Sequence, residues 1–139
     1  SFSGSQMQEQ KLKKLKVQSP DDRLLDKVMK VINDNLGNPD LNVEMIATEV
    51  GISRVHLHRK LKELTNQSTR DLIRNVRLKQ AASLLANQYH NITEVATLTG
   101  FTNVAYFSTA FKELYVVPPS TYMEEQQKSS SDNEVDQQN

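Results

Sequence analysis

The chain has 139 residues, a formal net charge of zero and no cysteine, which excludes disulfides and thiolate metal sites. This length allows one domain of ordinary size, or two very small ones that share an interface. No apolar run approaches the roughly 20 residues that span a bilayer, and the N-terminal region lacks the apolar stretch of a secretory signal. We therefore expect a cytoplasmic protein.

The zero net charge conceals a basic region in the middle of the chain. Between residues 53 and 79 there are eight basic residues and two acidic ones. The basic residues are Arg54, Arg59, Lys60, Lys62, Arg70, Arg74, Arg77 and Lys79. Because salt screens charges more than roughly 8 to 10 Å away, a polyanion responds to this local surplus rather than to the total. A nucleic-acid partner therefore remains open.

The two ends of the chain are polar. Residues 1–20 carry a short KLKKLK run and are expected to form a linker or disordered segment. A helix is predicted from about residue 20 to residue 36, since its apolar residues share one stripe and Gly37 is a stop signal; the stripe comprises Leu25, Val28, Met29, Ile32 and Leu36. Residues 124–139 lack the apolar content that offsets ordering entropy, so we expect a disordered tail.

Two stretches between these ends share one pattern: NVEMIATEVGI at 42–52 and NITEVATLTGF at 91–101. Each begins with Asn and has Ala, Thr and Gly at the same positions, which predicts a short helix with an Asn N-cap and a Gly stop. After each Gly come one apolar residue and a hydroxyl N-cap, Ser53 or Thr102, and then another helix. A helix, a Gly turn and a helix, present twice, are typical of a pair of helix-turn-helix units.

The second helix of the first unit places Leu57, Leu61 and Leu64 on one buried stripe. Its opposite side carries Arg54, Val55, His58, Arg59 and Lys62. In a major groove, Arg59 would reach guanine O6 and N7, and His58 would meet a base edge. A solvated basic face is the alternative, but the basic run continues into the next helix, which favours DNA.

The corresponding helix of the second unit has a stripe of Phe107, Phe111 and Leu114. Its outward side chains are mostly short; they are Asn103, Val104, Ala105, Ser108, Thr109 and Lys112. Short side chains let the backbone approach phosphates, and Val104 or Ala105 could meet a thymine methyl group. We therefore expect the first unit to supply most base reading and the second to supply mainly positioning and shape readout.

A long helix is predicted between the units, at about residues 68–87, beginning with a capping box of Ser68 and Asp71. Its twenty residues span about 30 Å, close to the roughly 34 Å of one duplex turn, so it can hold two units one turn apart on one face of DNA. Its expected core contacts are Leu72, Ile73, Val76, Ala81, Leu84 and Leu85. Arg74 and Arg77 could equally form structural ion pairs.

At its C-terminal end the sequence resembles a known family. GFTNVAYFSTAFKELYVVPPSTY, at 100–122, is similar to the C-terminal signature of the AraC/XylS family of bacterial transcription regulators. The matching residues are Gly100, Phe101, Asn103, Tyr106, Phe107, Ser108, Phe111, Lys112, Pro119 and Tyr122. IATEVGISRVHLHRKLKELT and IRNVRLKQAASLL resemble the first unit and the linker helix of that family, so the resemblance covers about residues 21–123.

The resemblance implies an all-α, monomeric domain of seven helices at 21–123. Its helix-turn-helix units, at about 42–65 and 91–115, would bind successive major-groove segments of double-stranded DNA and usually activate transcription through RNA polymerase. The family's base-reading positions fall on Val55, His58, Arg59, Val104, Ala105 and Thr109. Its phosphate contacts fall on Gln67, Ser68, Ser120 and Thr121, to which we add Ser53, Thr102, Ser108 and Lys112.

The segments SRVHLHRKLK and KLKKLKV resemble sequences in effector domains of hybrid two-component sensors of gut Bacteroidetes. That narrower resemblance implies upstream sensor and receiver domains and a membrane-anchored full-length protein, with this part cytoplasmic and without membrane contact. The sequence departs from the family at Val116, a position where Gly is usual. A valine resists a left-handed backbone conformation. Asn66 also replaces Gly, but adopts that conformation more easily, and Met123 replaces a frequent basic residue.

Two other classes were weighed. An enzyme is disfavoured because the sequence has no Gly-rich phosphate loop, no HExxH motif and no GxSxG motif. His56 and His58 lie on different helix faces and cannot share a metal. Neither a metal nor a cofactor is expected. Tyr106 and Phe107 are expected in the core rather than on a stacking surface. The alternative function is a helical protein-protein interaction module with a basic face.

Overall fold

The computed structural model describes the backbone of residues 18–87 and 89–138. These ranges contain seven helices and no strand, which confirms the all-α fold. The helices are α1 (Pro20–Asp34), α2 (Val43–Val50), α3 (Arg54–Thr65), α4 (Thr69–Ala86), α5 (Ile92–Leu98), α6 (Val104–Tyr115) and α7 (Pro119–Gln138). Within this part of the chain, no helix combines the length and the apolar content needed to cross a membrane. The expected N-terminal linker lies outside the described residues as far as residue 17.

Side-chain caps define where the helices begin. In six helices an N-cap oxygen accepts a backbone N–H from the first turn, at 2.8 to 3.1 Å. The caps are Ser19, Asn42, Ser53, Ser68, Asn91 and Asn103. The prediction that Thr102 caps α6 is wrong. Asn103 takes that role, so the N-cap stands three residues after Gly100 in the second unit but two residues after Gly51 in the first.

Helix α4 separates two hydrophobic cores, one for each helix-turn-helix unit. The first core lies among α1, α2, α3 and the N-terminal half of α4; its buried residues are Val28, Ile32, Leu41, Ile46, Ala47, Leu57, Leu61, Leu72 and Ile73. The second lies among the C-terminal half of α4, α5 and α6; its buried residues are Leu78, Ala81, Ala82, Leu85, Val95, Ala96, Phe101, Phe107, Ala110 and Phe111. Helix α4 contributes buried residues to both cores and therefore positions both units.

Aromatic rings attach α7 to the second core. The Tyr122 ring lies 5.3 Å from the Phe111 ring and 5.4 Å from the Tyr115 ring, between centroids. Tyr115 stacks on Phe111 at 4.6 Å. Burial raises the pKa of the Tyr115 hydroxyl above its ordinary value, and the neighbouring Tyr122 raises it further. The contacts hold the first turn of α7 against α6.

The sequence made specific predictions for two residues that follow helices and for one residue on the apolar stripe of α6. Asn66 follows α3 with φ 58°, as expected. Val116 follows α6 with φ 75°, so the expectation that it avoids this conformation is wrong. Its side chain is 80% exposed, so the strain is not offset by burial. Leu114 was expected in the core and is 45% exposed, because the buried stripe of α6 runs through Phe107, Ala110 and Phe111.

Element lengths also differ from expectation. Helix α1 ends at Asp34 rather than near residue 36, and α4 has 18 residues, or about 27 Å at 1.5 Å per residue. Helix α7 continues through residues 124–138, where a disordered tail was expected. Those residues include neither Pro nor Gly, and seven of the fifteen are Glu or Gln, which lose little rotamer freedom in a helix. A helix can therefore continue there without an apolar face.

Candidate nucleic-acid interface

A cleft of 1020 Å³ lies between the N-terminal ends of α3 and α6. Helix α4 contributes its first turn and, from its middle, Ile73, Arg74 and Arg77 to the lining. Six residues that the sequence assigned to DNA contact line this cleft together: Arg54, Val55, His58, Ser68, Thr102 and Asn103. The structure therefore places the N-terminal ends of α3 and α6 on one concave face.

The outward face of α3 is open along its length. Arg54, Val55, His58, Arg59 and Lys62 are all exposed, and the isopropyl group of Val55 is 77% exposed. Arg59 makes no salt bridge or side-chain hydrogen bond within the described residues. The face offers a guanidinium, an imidazole and an apolar group at one helical stripe.

Two cations of α3 have partners of their own in the absence of DNA. The Arg54 guanidinium lies 3.3 Å from the Glu44 carboxylate on α2, with both side chains about two-thirds exposed. The Lys62 ammonium donates to the Asn66 carbonyl at 3.3 Å. Exposed pairs of this kind contribute at most about 1 kcal/mol. Both side chains can therefore be redirected to a polyanion at small cost.

The outward face of α6 presents less chemistry. Val104, Ala105 and Thr109 are exposed, but the Thr109 hydroxyl already donates to the Ala105 carbonyl at 3.1 Å. The Asn103 side-chain carbonyl caps the helix by accepting from the Tyr106 N–H at 3.0 Å. The Asn103 carbonyl and the Thr109 hydroxyl hydrogen are thus used by the helix itself, which leaves the Asn103 amide N–H groups, the Thr109 lone pairs and methyl groups for base edges.

The phosphate positions divide by exposure. Ser53, Thr102, Lys112 and Ser120 are exposed, whereas Gln67, Ser68, Ser108 and Thr121 are half-buried. The side-chain carbonyl of Gln67 accepts a hydrogen bond from the side-chain amide of Asn75 at 2.7 Å. This bond orients the Gln67 side chain beside the N-terminus of α4. Helix N-termini carry unpaired N–H groups and partial positive charge, so they favour phosphate oxygens.

The basic region is less available than its sequence suggests. Lys60 lies 3.2 Å from Asp21 on α1, and Arg74 lies 3.4 Å from Asp71. Arg77 is 8% exposed and pairs with no carboxylate in the described part of the chain. Burial lowers the pKa of Arg77 below its ordinary value, but a guanidinium remains charged near neutral pH. Of the two arginines left open above, Arg74 is ion-paired and Arg77 is structural.

The sequence missed several residues that line the cleft. Arg70 is exposed on the first turn of α4, and Tyr106 is 48% exposed instead of buried as expected. The Tyr106 ring lies 6.2 Å from the Phe101 ring, at the start of α6. The signal for Arg70 was its place in the basic run next to Ser68, but an exposed Tyr at core spacing has no sequence signal. Among the described residues, no group of His, Asp and Glu is arranged to hold a metal.

Comparisons with known proteins agree with this geometry. A family model described as a helix-turn-helix domain matches residues 46–125, which is more than half of the chain. The chain is 36% identical over 106 residues to histidine kinase P4 of Formosa agariphila, covering 76% of this chain and 8% of that protein. It is 32% identical over 105 residues to the Msm operon regulatory protein of Streptococcus mutans, covering 76% and 37%.

Solved structures give the same result. The C-terminal domain of AraT, a response regulator from Geobacillus stearothermophilus, is 31% identical and superposes with a TM-score of 0.68, covering 76% of this chain and 85% of that one. The chain spans much less than two-thirds of the length of the two curated relatives. From the matched model, the shared fold and the paired reading helices, the chain belongs to the AraC-type family of helix-turn-helix DNA-binding domains.

Proposed function

We propose that this domain binds double-stranded DNA sequence-specifically, with α3 and α6 in successive major-groove segments, and thereby regulates transcription. The observation that carries the proposal is the cleft that brings the N-terminal ends of both helices to one face. In this arrangement Arg54, Val55, His58, Arg59 and Lys62 read bases from α3; Asn103, Val104, Ala105 and Thr109 do so from α6.

Base reading is divided unequally between the two helices in this proposal. Arg59 and His58 can form hydrogen bonds with base edges, whereas α6 offers methyl groups and two polar groups that are already bonded within the helix. The half-site under α3 should therefore be sharply specified. The half-site under α6 should be specified more weakly, through thymine methyl contacts and DNA shape.

Phosphate contacts set the register in which those bases are read. They come from Ser53, Gln67 and Ser68 around α3 and α4; Thr102, Ser108, Lys112, Ser120 and Thr121 supply those around α6 and α7. The partners proposed for the whole protein are RNA polymerase, through activation, and upstream sensor and receiver domains. The relatives described as a histidine kinase and a response regulator support that last partner. We propose a cytoplasmic, non-catalytic output domain.

Selection of bound sequences from a random DNA pool tests the proposal directly. We expect a site of roughly 15 to 20 base pairs covering two major-groove segments, with sharper preference in one half. Affinity for that site should fall steeply as salt is raised, because each neutralised phosphate releases a counterion. A helical protein-protein interaction module with a basic face would instead select no consensus sequence. Its affinity for any one DNA sequence would change little as salt is raised.

A further inference from the structure

The two helix-turn-helix units are connected through the middle of α4, where one charged side chain is buried. Leu72 and Ile73 belong to the first core, and Leu78 and Ala81 belong to the second. Arg77 lies between these two pairs in the sequence and is 8% exposed. The boundary between the cores is therefore polar, and its position on α4 is that of Arg77.

Arg77 binds one backbone carbonyl from each unit. Its Nη1 donates to the Gly100 carbonyl at 3.0 Å, and its Nη2 donates to the Asn38 carbonyl at 2.6 Å. Asn38 follows the end of α1 in the first unit, and Gly100 follows the end of α5 in the second. Backbone carbonyl oxygens accept strong hydrogen bonds from a charged donor, which stabilises a buried cation. One guanidinium fork thus holds two loops, one after α1 and one after α5, that are far apart in sequence.

The backbones of the two units approach one another closely beside this fork. A Cβ atom on Gly100 would lie 2.5 Å from the Leu36 carbonyl oxygen and 2.7 Å from the Arg77 Cζ. A Cβ atom on Gly37 would lie 3.3 Å from the Leu98 carbonyl oxygen. Glycine stands on each side of the joint, so the loop after α1 can pack directly on the end of α5. We call this contact the inter-unit joint: Leu36, Gly37, Asn38, Arg77, Leu98 and Gly100.

The buried Arg77 side chain defines the geometry of the joint but is not the most stabilising side chain for that position. The Arg77 Nε is buried and has no hydrogen-bond partner within the described residues. A buried N–H without a partner disfavours the folded state. Replacing a buried ionic group by an apolar one of similar size is often neutral in stability. A planar fork with two donors in fixed directions, however, defines the relative orientation of the two carbonyls that it binds.

We propose that Arg77 is a positioning residue that sets the register between α3 and α6 and thereby the half-site spacing that the domain accepts; this inference rests on the proposed DNA binding. Helix α4 fixes the separation of the units along its axis, but each unit packs on α4 through its own core. Rotation of one unit against the other is opposed at the inter-unit joint. One base pair changes the groove position by about 3.4 Å and about a tenth of a turn, so small rotations alter the preferred spacing.

The test compares Arg77→Met with Lys79→Met in the 139-residue chain. Lys79 is exposed on the same helix, so its substitution removes the same charge without touching the joint. Affinity is measured on the selected site and on versions with one or two base pairs inserted or deleted between the half-sites. For the wild type and Lys79→Met, one inserted pair should weaken binding at least about tenfold. For Arg77→Met the same insertion should weaken it by about threefold or less.

A second measurement needs no DNA. The chain has no cysteine, so Glu63→Cys on α3 and Glu113→Cys on α6, both exposed positions, give two spin-label sites. The distance distribution between the labels should broaden in Arg77→Met and remain as in the wild type in Lys79→Met. If Arg77→Met does not fold, Arg77→Lys against Lys79→Arg decides by the same measurements, because one ammonium group cannot reproduce the fork.

Unchanged spacing profiles together with unchanged distance distributions would overturn the role of Arg77. A wild-type chain that selects no DNA site would instead remove the proposed function, and the distance measurement would then decide separately whether Arg77 fixes the units. A broadened distribution with a flattened spacing profile supports the inference. A uniform loss of affinity at all spacings, without broadening, contradicts it, since that result assigns Arg77 only a charge effect.

Discussion

The two glycines that end the repeated pattern provide a matched pair of substitutions. Gly51 has φ 78° and Gly100 has φ 86°, so alanine at either position is held in the left-handed region. That conformation costs about 1 kcal/mol of folding free energy at each site. At Gly51 no atom lies within 4 Å of the added Cβ. We therefore expect Gly51→Ala to lower the free energy of unfolding by about 1 kcal/mol and nothing further.

Gly100→Ala adds two effects at the inter-unit joint. The new Cβ would lie 2.5 Å from a backbone oxygen, and relieving such overpacking typically costs about 1 to 3 kcal/mol. The 3.0 Å bond from Arg77 to the Gly100 carbonyl would be distorted, and a charged hydrogen bond contributes about 1.5 to 3 kcal/mol. Because these effects share one displacement, we expect a total loss of about 3 to 5 kcal/mol.

Urea denaturation followed by far-ultraviolet circular dichroism measures both variants on one scale. Gly51→Ala should shift the midpoint slightly, and Gly100→Ala should shift it several times further at a similar m-value. Equal losses for the two variants would refute the reasoning, because they share the backbone conformation and differ only in what surrounds the Cβ. The comparison therefore tests the closeness of the inter-unit joint without requiring DNA binding.

Three further predictions concern the reading helices and the end of α6. Arg59→Ala should weaken binding to the selected site by about 1 to 3 kcal/mol and relax one base position, seen by titrating a set of single-base variants; an equal loss on every sequence would contradict base reading. Ser120→Ala should weaken all sequences alike, which the same titrations check, and any change of consensus would contradict that. Val116→Gly should raise the free energy of unfolding by about 1 kcal/mol, measured by urea denaturation against Leu114→Gly, which should lower it.

The helices were predictable where local chemistry decides them. Asn42 and Asn91 begin two helices because each side chain accepts an N–H from the residue three positions later, which is a property of four consecutive residues. The prediction that Thr102 is an N-cap was wrong because it assumed the same spacing from the glycine to the next N-cap in both units. Asn is a stronger N-cap than Thr, and Asn103 moved the start of α6 one residue along. Competing caps at adjacent positions are therefore the limit of that inference.

The exposed candidates of α3 were predictable for a related reason. Once Leu57 and Leu61 define the buried side of a helix, the opposite stripe follows from its period, and Arg59 is exposed as expected. The role of Arg77 was not predictable. Its two carbonyl partners lie 23 and 39 residues away, and no local pattern distinguishes it from Arg74 one turn earlier. Burial of a cation is decided by which backbone oxygens the fold delivers to it.

In the proposed binding mode, the charge distribution gives a reason why the register of the two units matters. Of the basic residues between 53 and 79, one is buried and three lie within 4 Å of carboxylates in the described part of the chain; these are Arg77, Arg54, Lys60 and Arg74. Non-specific affinity grows with the number of phosphates neutralised, so pairing or burial of these four cations is expected to weaken binding to DNA of arbitrary sequence. Discrimination then depends on α3 and α6 engaging their half-sites simultaneously. Linked sites gain affinity only when geometry permits both to bind, so an inter-unit joint that fixes this geometry contributes to specificity without touching DNA.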